Sequence, residues 1–572
     1  MLKKTKQQGE EGEIKMQDFS ILIGGSAGSG VDKSALVLGD LLNQNGYRVY
    51  IYHDYPSLIR GGHTFSIIRA AQTKITAHRN RIDFLLGLNK ETLDMHKTRL
   101  GDSGKVICDS EILKEAALPQ QIRTLAIPTV KLVKEENAPE IMRNTCLIGA
   151  FAKAVGIKIE LLEKVLRENF TKGIDTNIRI AKKGYEASEL MESIQPPVQD
   201  ILPLISGSQA MGLGLIKGGL EVYVSYPMTP TTALLHFLAE QASEFSLKVV
   251  HPENELSVIL MALGFAYAGR KTAVGTSGGG FCLMTESLSL SAMSEVPTVI
   301  VLGQRPGPST GLPTYSCQSD LHFALYAGQG EFVRFVVAPG DLEEAYYWSA
   351  SALNLAWKYQ IPSIILTDKN LNEGISNFDV NDTGEIKEND PYLWDGTTGY
   401  RRYEDNKTGV SPLAFVPNEN AVIKVSGYEH DESGITTENA DVTKKMQDKR
   451  LRKEKYLAEE LKSFPTVKTY GDEKQTTALL CWGSTKGICV EIAQKLGLKV
   501  IQPIVLSPFP EHAFREAIRG IKKLIAVENN ATGQLVRLIK AHGIDVDDTI
   551  LKYDGRPFTL DELEKMVKEK IA

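Results

Sequence analysis

Short apolar runs rich in β-branched residues alternate with helical patterns along almost all of this 572-residue chain. That alternation predicts layered α/β structure, in which helices cover the faces of largely parallel sheets. The chain is too long for one core. At roughly 150 residues per domain the length predicts about four domains. No internal repeat of fixed period is visible.

Several classes of protein are set aside by what the chain lacks. With 65 basic against 71 acidic residues the net charge is -6, so no basic surface for nucleic acid is expected. The longest strongly apolar run, residues 258–269, is well short of the ~20 residues that cross a bilayer, so no membrane partner is expected. The opening MLKKTKQQGEEGEIKMQ has charges but no apolar core, and it reads as a polar tail (1–18) rather than a secretory signal. The cysteines Cys108, Cys146, Cys282, Cys317, Cys481 and Cys489 include no C-x-x-C pair. That pattern predicts reduced core thiols in a cytoplasmic protein, with no zinc site or iron–sulfur cluster in this chain.

Along the chain, a first α/β domain is expected over 19–196 and a proline-rich linker over 197–204. A second α/β domain follows over 205–377, then a polar connecting segment over 378–470 and a last α/β domain over 471–572. Within the polar segment, VTKKMQDKRLRKEK (442–455) is basic with helical propensity and reads as a solvated helix face.

The motifs, taken singly, leave more than one reading open. GGSAGSGVDKS (24–34) lies between a strand and a helix, where backbone N–H groups favour phosphate. It is not a phosphate-binding loop of the nucleotide-hydrolysing kind, because Val31 and Asp32 follow Gly30, and Lys33 stands where a dinucleotide fingerprint needs glycine. A tight turn with close strand–helix packing fits equally. YPSLIRGGHTFSIIRA (55–70) puts Arg60, Gly61, Gly62 and His63 in a loop before a strand, suited to an anion or to nothing beyond a turn. SYPMTPTT (225–232) leaves Thr229 available to cap the next helix or to hold a carboxylate. HPENELSVILMALGFAYAG (251–269) opens a helix with Glu253 and Glu255, the latter heading an otherwise buried apolar pattern. Acids there also serve the helix dipole. TSGGG (276–280) is a backbone-exposing turn, and QRPGPSTGLPT (304–314) places Arg305 at the carboxyl end of a strand, where open parallel sheets bind ligands.

Together and in this order, the motifs of 205–377, with YSCQSDL (315–321), resemble the pyrimidine-binding domain in the alpha subunit of 2-oxoacid:ferredoxin oxidoreductases. GSAGSG and YPSLIRGGH resemble that family's gamma domain, fused at the N-terminus, an order most similar to the 2-oxoglutarate type. GVSPLAFVP, GYEHDESG and DKRLRK resemble the intervening segment, and VENNATGQL (527–535) the transketolase C-terminal-like domain. The chain departs from the family at Gly279 (usually proline), at Ser29 (commonly glutamine) and at Pro417-Asn418 (commonly Pro-Gly).

The resemblance implies a thiamine-diphosphate enzyme that decarboxylates a 2-oxoacid, passes two electrons singly to iron–sulfur centres and hands the acyl group to CoA. Pyruvate or a branched-chain 2-oxoacid are alternative substrates to 2-oxoglutarate, and a non-catalytic scaffold of the same fold is the alternative function. No Gly-Asp-Gly occurs to announce the diphosphate's magnesium site. A beta subunit is therefore expected to supply that site and a [4Fe–4S] cluster, in an αβ or (αβ)2 assembly with ferredoxin as acceptor. On the pyrimidine side a carboxylate at ring nitrogen N1′ must favour the imino tautomer; family register points to Glu255, with Glu253 second. The resemblance further assigns Tyr226, Pro227, Thr276, Ser277 and Gly278 to the thiamine pyrimidine. Arg305 and Thr229 fall to the 1-carboxylate, and Gly28, Gly30 and Arg60 to CoA; a second carboxylate needs another cation or hydroxyl, for which Ser309, Thr310 and Arg60 are the candidates. No metal ligand is assigned to this chain.

Overall fold

The computed structural model describes residues 17–57, 61–387, 390–397 and 399–572. They form two units, dividing between Leu202 and Pro203.

The first unit contributes six adjacent strands to its sheet, in the order Arg123–Ile127, Leu100–Asp109, Ile82–Gly87, Asp18–Ser26, His63–Ala71, Arg48–Asp54. The first four strands are parallel, whereas His63–Ala71 runs antiparallel to both its neighbours. The sheet is therefore mixed. Helix Val31–Gln44 begins directly after Gly30, whose φ of 80° puts it in the left-handed region that glycine enters without strain. Its apolar face buries Val37, Leu38, Leu41 and Leu42. Helices Arg143–Ala154 and Ile174–Glu186 cross at two glycines: a Cβ on Gly149 would lie 2.0 Å from Ala181 O, and one on Gly184 2.0 Å from Cys146 O. Only hydrogen allows the backbones so close.

The proline-rich stretch is bound down rather than free. Tyr47 Oη donates to Gln195 O at 2.8 Å, Arg48 to Asp200 O at 2.8 Å, and Asn43 Nδ2 to Leu202 O at 2.9 Å.

The second unit holds two main sheets. One runs Val505–Ser507, Phe335–Val337, Pro362–Asp368, Thr298–Gln304, Thr272–Ser277, Val222–Ser225, Lys248–Val250, parallel except for the first pair. The other runs Val467–Tyr470, Lys499–Pro503, Thr477–Leu480, Lys523–Glu528, Asp548–Leu551. A continuous core joins them, from Val224, Val274 and Phe281 to Leu480, Trp482 and Ala526. The strands of this core are apolar on both faces, as parallel strands between helices must be.

Two sequence expectations are corrected here. The basic stretch lies in helix Ala440–Leu461, but it is no solvated face: Lys449 and Lys453 are buried, and Lys449 Nζ donates to both Glu295 oxygens at 2.7 and 2.9 Å. Arg402 donates to Ser294 O and Glu295 O at the end of helix Gly278–Ser294. Desolvation alone would neutralise such lysines. The attraction of Lys449, Lys453 and Arg402 instead overrides the burial penalty on Glu295 and holds its carboxyl below the usual range. Nor is helix Glu255–Tyr267 buried all round, because Leu256, Leu260 and Met261 are exposed. The thiols are all free; Cys282 is exposed and the other five are buried.

Candidate active site

Four neighbouring parallel strands deliver four segments to one edge of their sheet. Val222–Ser225 leads into Tyr226, Pro227 and Thr229; Lys248–Val250 into Glu255; Thr272–Ser277 into Gly278; and Thr298–Gln304 into Arg305. The carboxyl edge of a parallel sheet is where loop N–H groups and helix N-termini converge, so polar ligands bind there.

Glu255 is the first residue of its helix. Asn254 caps that helix, its side chain accepting the Ser257 N–H at 3.0 Å. Glu253 is exposed, whereas Glu255 is buried and turned inward. It rests against Gly280, where a Cβ would lie 2.6 Å from Glu255 Oε1 and 2.2 Å from Thr276 Oγ1. TSGGG is not a separate turn, since strand Thr272–Ser277 passes straight into helix Gly278–Ser294. The three glycines thus form the bare first turn of that helix. A Cβ on Gly279 would lie 3.8 Å from Met228 Cε and 3.9 Å from Ser309 O, which brings the loop after Arg305 over this turn.

Arg305 donates from Nη1 to Thr229 O at 3.0 Å. Thr229 therefore meets Arg305 through its carbonyl and does not cap helix Thr232–Gln241, whose cap position is held by Thr231. Ser309 and Thr310 are exposed, and Ser309 has a φ of 57°. Tyr226 is exposed with its ring 5.9 Å from that of His251. Arg60 lies outside the described residues.

Sequence reasoning missed Asp320. A Cβ on Gly278 would lie 2.8 Å from Asp320 Oδ2, and the Asp320 N–H donates to Gln304 Oε1 at 2.9 Å. Burial pushes its carboxyl up to about 6, against the opposing pull of Arg305. Burial likewise lowers the Arg305 guanidinium, with Asp320 and Glu255 working the other way. Its segment is gripped by the C-terminal sheet: Gln318 N–H donates to Asn529 O at 2.7 Å and Gln318 Nε2 to Trp482 O at 2.6 Å. Asn530 Nδ2 donates back to Gln318 O at 3.1 Å. YSCQSDL and VENNATGQL were the available signal, since they meet in space.

These residues fit the pyrimidine half of thiamine. A buried carboxylate sits beside a side-chain-free turn, and Ser277 Oγ and Arg305 Nε are buried without hydrogen-bond partners. Among the described residues, no three His, Cys, Asp or Glu side chains converge as metal ligands.

The first unit carries a cavity of about 240 Å³ at the carboxyl ends of its parallel strands, lined by Gly28, Ser29, Gly87, Asp109, Arg143 and Asn144 among others. Gly28 has a φ of 84° and open space where a Cβ would be, whereas Gly30 is covered by Asn144 and Ile141. Asn144 Nδ2 donates to Ser29 O at 2.7 Å and fixes the turn. Asp109 is held below the usual carboxylate range despite burial, because the Thr129 hydroxyl and the N–H groups of Glu111 and Val130 donate to it.

The family description "Pyruvate flavodoxin/ferredoxin oxidoreductase, thiamine diP-bdg" matches residues 213–449, and "Pyruvate ferredoxin/flavodoxin oxidoreductase" matches 20–187. The 2-oxoacid:ferredoxin oxidoreductase subunit alpha of Saccharolobus solfataricus is 31% identical over 96% of this chain and 97% of its own length. The chain belongs to the family of 2-oxoacid:ferredoxin oxidoreductase alpha subunits. Another relative of this oxidoreductase subunit, the 2-oxoglutarate oxidoreductase subunit KorA of Mycobacterium tuberculosis, is 27% identical over 98% of this chain and 92% of its own length. Among solved structures, the 2-oxoglutarate:ferredoxin oxidoreductase of Magnetococcus marinus, with 2-oxoglutarate, coenzyme A and succinyl-CoA bound, matches with a TM-score of 0.89. It is 28% identical and covers 98% of this chain and 100% of that one. The matched thiamine diphosphate-binding model spans the strands that lead into Tyr226, Glu255, Gly278 and Arg305, and the α/β fold class is as expected.

Proposed function

We propose that this subunit, with a beta subunit, oxidatively decarboxylates a 2-oxoacid, 2-oxoglutarate first, yielding succinyl-CoA and reduced ferredoxin. The observation that carries the reading is Glu255, a buried carboxylate at a helix start, pressed against a glycine turn and facing Arg305 across the same sheet edge. The ligands of the Magnetococcus marinus enzyme support the substrate choice. When bound, thiamine diphosphate supplies the electron sink that decarboxylation needs. Glu255 holds a proton at the pyrimidine N1′ atom. Tyr226, Pro227, Thr276, Ser277 and Gly278 wall the ring, and the bare turn at Gly278–Gly280 lets it approach. Arg305 and the Thr229 hydroxyl hold the 1-carboxylate, a task for which a planar guanidinium is suited. Ser309 and Thr310 meet the second carboxylate, and Gly28 borders the cavity that receives CoA, with Gly30 turning the chain behind Asn144 and Ile141.

In this reading the beta subunit brings the Mg2+ site and the [4Fe–4S] cluster, in a cytoplasmic αβ or (αβ)2 complex. Residues 19–196 serve as the gamma-type domain, 205–377 as the pyrimidine-binding domain and 471–572 as the transketolase C-terminal-like domain, with 197–204 and 378–470 as connections.

The test is anaerobic, CoA-dependent reduction of a viologen dye by the complex across a panel of 2-oxoacids. Preference for 2-oxoglutarate is expected. Preference for pyruvate or a branched-chain acid moves the substrate and keeps the chemistry; no reduction by a complex holding cofactor and cluster sinks the reading. Glu255→Gln should lower turnover by about 10²–10⁴, the usual scale of a lost acid–base group.

A further inference from the structure

Among the buried polar atoms at this site without a hydrogen-bond partner, two are opposite in kind: Asp320 Oδ2, an acceptor when ionised, and Arg305 Nε, a donor. A buried unpaired polar atom costs about 1–3 kcal/mol, so such atoms in one site mark where a ligand completes the bonding. Arg305 Nε asks for an acceptor, which a carboxylate supplies. Asp320 Oδ2 asks for a donor, which a 2-oxoacid anion does not have. The same charge count gives the same conflict. Glu255, Asp320 and Arg305 together carry one net negative charge when both acids are ionised, and every 2-oxoacid adds at least one more.

We infer that Asp320 is a specificity-determining residue for anionic substrates: its carboxyl takes up one proton from solvent as a 2-oxoacid carboxylate docks on Arg305, and in its ionised form it repels that substrate. The inference rests on the functional reading above. Protonated, the carboxyl becomes an O–H donor facing the incoming anion instead of a second negative charge. Its place suits the task, because burial has already pushed it up to about 6, and a further negative charge raises it more.

The other groups around it do not carry such a proton. Cys317 on its own segment is kept protonated by burial, up to about 12. Burial raises the Asp368 carboxyl as well, but the Ser316 hydroxyl donates to it at 3.1 Å and the Leu371 N–H at 3.2 Å, so its oxygen already has donors. Helix Gly278–Ser294 meets it at Gly278, which has no side chain to titrate. His322, two residues on, has its Nε2 buried without a partner, so the Asp320 variant below is compared with a variant at this position.

Linkage fixes the sign. Free Asp320 loses its proton as pH rises above about 6 while the substrate-bound form keeps it, so KM should climb by up to about tenfold per pH unit between the two values. The carboxyls of 2-oxoacids titrate below this range. The experiment is viologen reduction by the complete complex from pH 5.5 to 8.5, reading KM and kcat separately for wild type, Asp320→Asn and His322→Asn. Wild type and His322→Asn should show the climbing KM. Asp320→Asn should hold KM at pH 8 within about twofold of its value at pH 6. A mere loosening of the site would instead lower kcat at every pH and leave the KM slope. Should Asp320→Asn fail to assemble, calorimetric titration of 2-oxoglutarate into the Glu255→Gln complex, in buffers of different ionisation enthalpy at pH 7.5, reads the proton directly. About one proton taken up per site is expected, and none overturns the inference. A KM slope that survives Asp320→Asn, or that vanishes in His322→Asn alone, overturns it while leaving the functional reading intact. Absence of turnover by wild type overturns both.

Discussion

Gly280 matters for what it does not carry. Its bare Cα lets the Glu255 carboxylate and the Thr276 hydroxyl share a space that one methyl group would fill. Gly280→Ala should displace Glu255 by a fraction of an ångström to an ångström, and misplacement on that scale can cost about a hundredfold in rate. The expected outcome is a fall in kcat of roughly ten- to a hundredfold, with circular dichroism and thermal midpoint close to wild type. Arg305→Lys keeps the charge and loses the fork, so KM for the 2-oxoacid should rise by about tenfold or more, a loss of roughly 1.4 kcal/mol. Much of this was legible in the residues themselves: Glu255, the TSGGG glycines and Arg305 stand where their motifs put them. Thr229 and Asp320 were not. The Thr229 hydroxyl looked like a cap because capping is a local rule, but the helix starts two residues later than that rule needs and Arg305 takes the carbonyl. Asp320 depends on burial by segments far apart in the chain, which no local pattern reports.

At the level of elements, strand and helix identities follow from periodicity, and the Gly28–Gly30 turn stands between its strand and helix as read. The misjudged element is the basic helix. Seven lysines and arginines within 442–455 look like a face for solvent, and only the fold brings Glu295 to Lys449 and Lys453. Removing one partner of a buried pair strands the others, so Glu295→Gln should cost about 3–5 kcal/mol and lower the thermal midpoint by several degrees. The glycine crossing in the first unit was equally silent in the sequence, because GAF and KGY are unremarkable tripeptides. Gly149→Ala places a methyl 2.0 Å from a carbonyl oxygen and should destabilise by about 1–3 kcal/mol. Hydrogen exchange should speed up in helices Arg143–Ala154 and Ile174–Glu186 and stay unchanged in the C-terminal sheet.

For the whole molecule, the proline-rich stretch that reads as a linker is tied to the first unit up to Leu202, and the division between units falls inside its 197–204 bounds. The polar connecting segment is part of the second unit's packing, not a spacer. The functional reading carries a prediction at this scale: the purified chain alone should reduce no viologen with any 2-oxoacid, and adding a cluster-bearing beta subunit should restore turnover. Helix Gly278–Ser294, about 25 Å long at 1.5 Å per residue, has consequences of the same reach. One of its ends is the glycine turn under Glu255 and Asp320; the other is clamped by Arg402, with Glu295 held by Lys449 and Lys453. It is a beam with a built-in support at the end remote from the chemistry. A tilt of a few degrees at that support swings the far tip by about an ångström, so loosening a lysine of helix Ala440–Leu461 should slow the reaction as well as destabilise the protein.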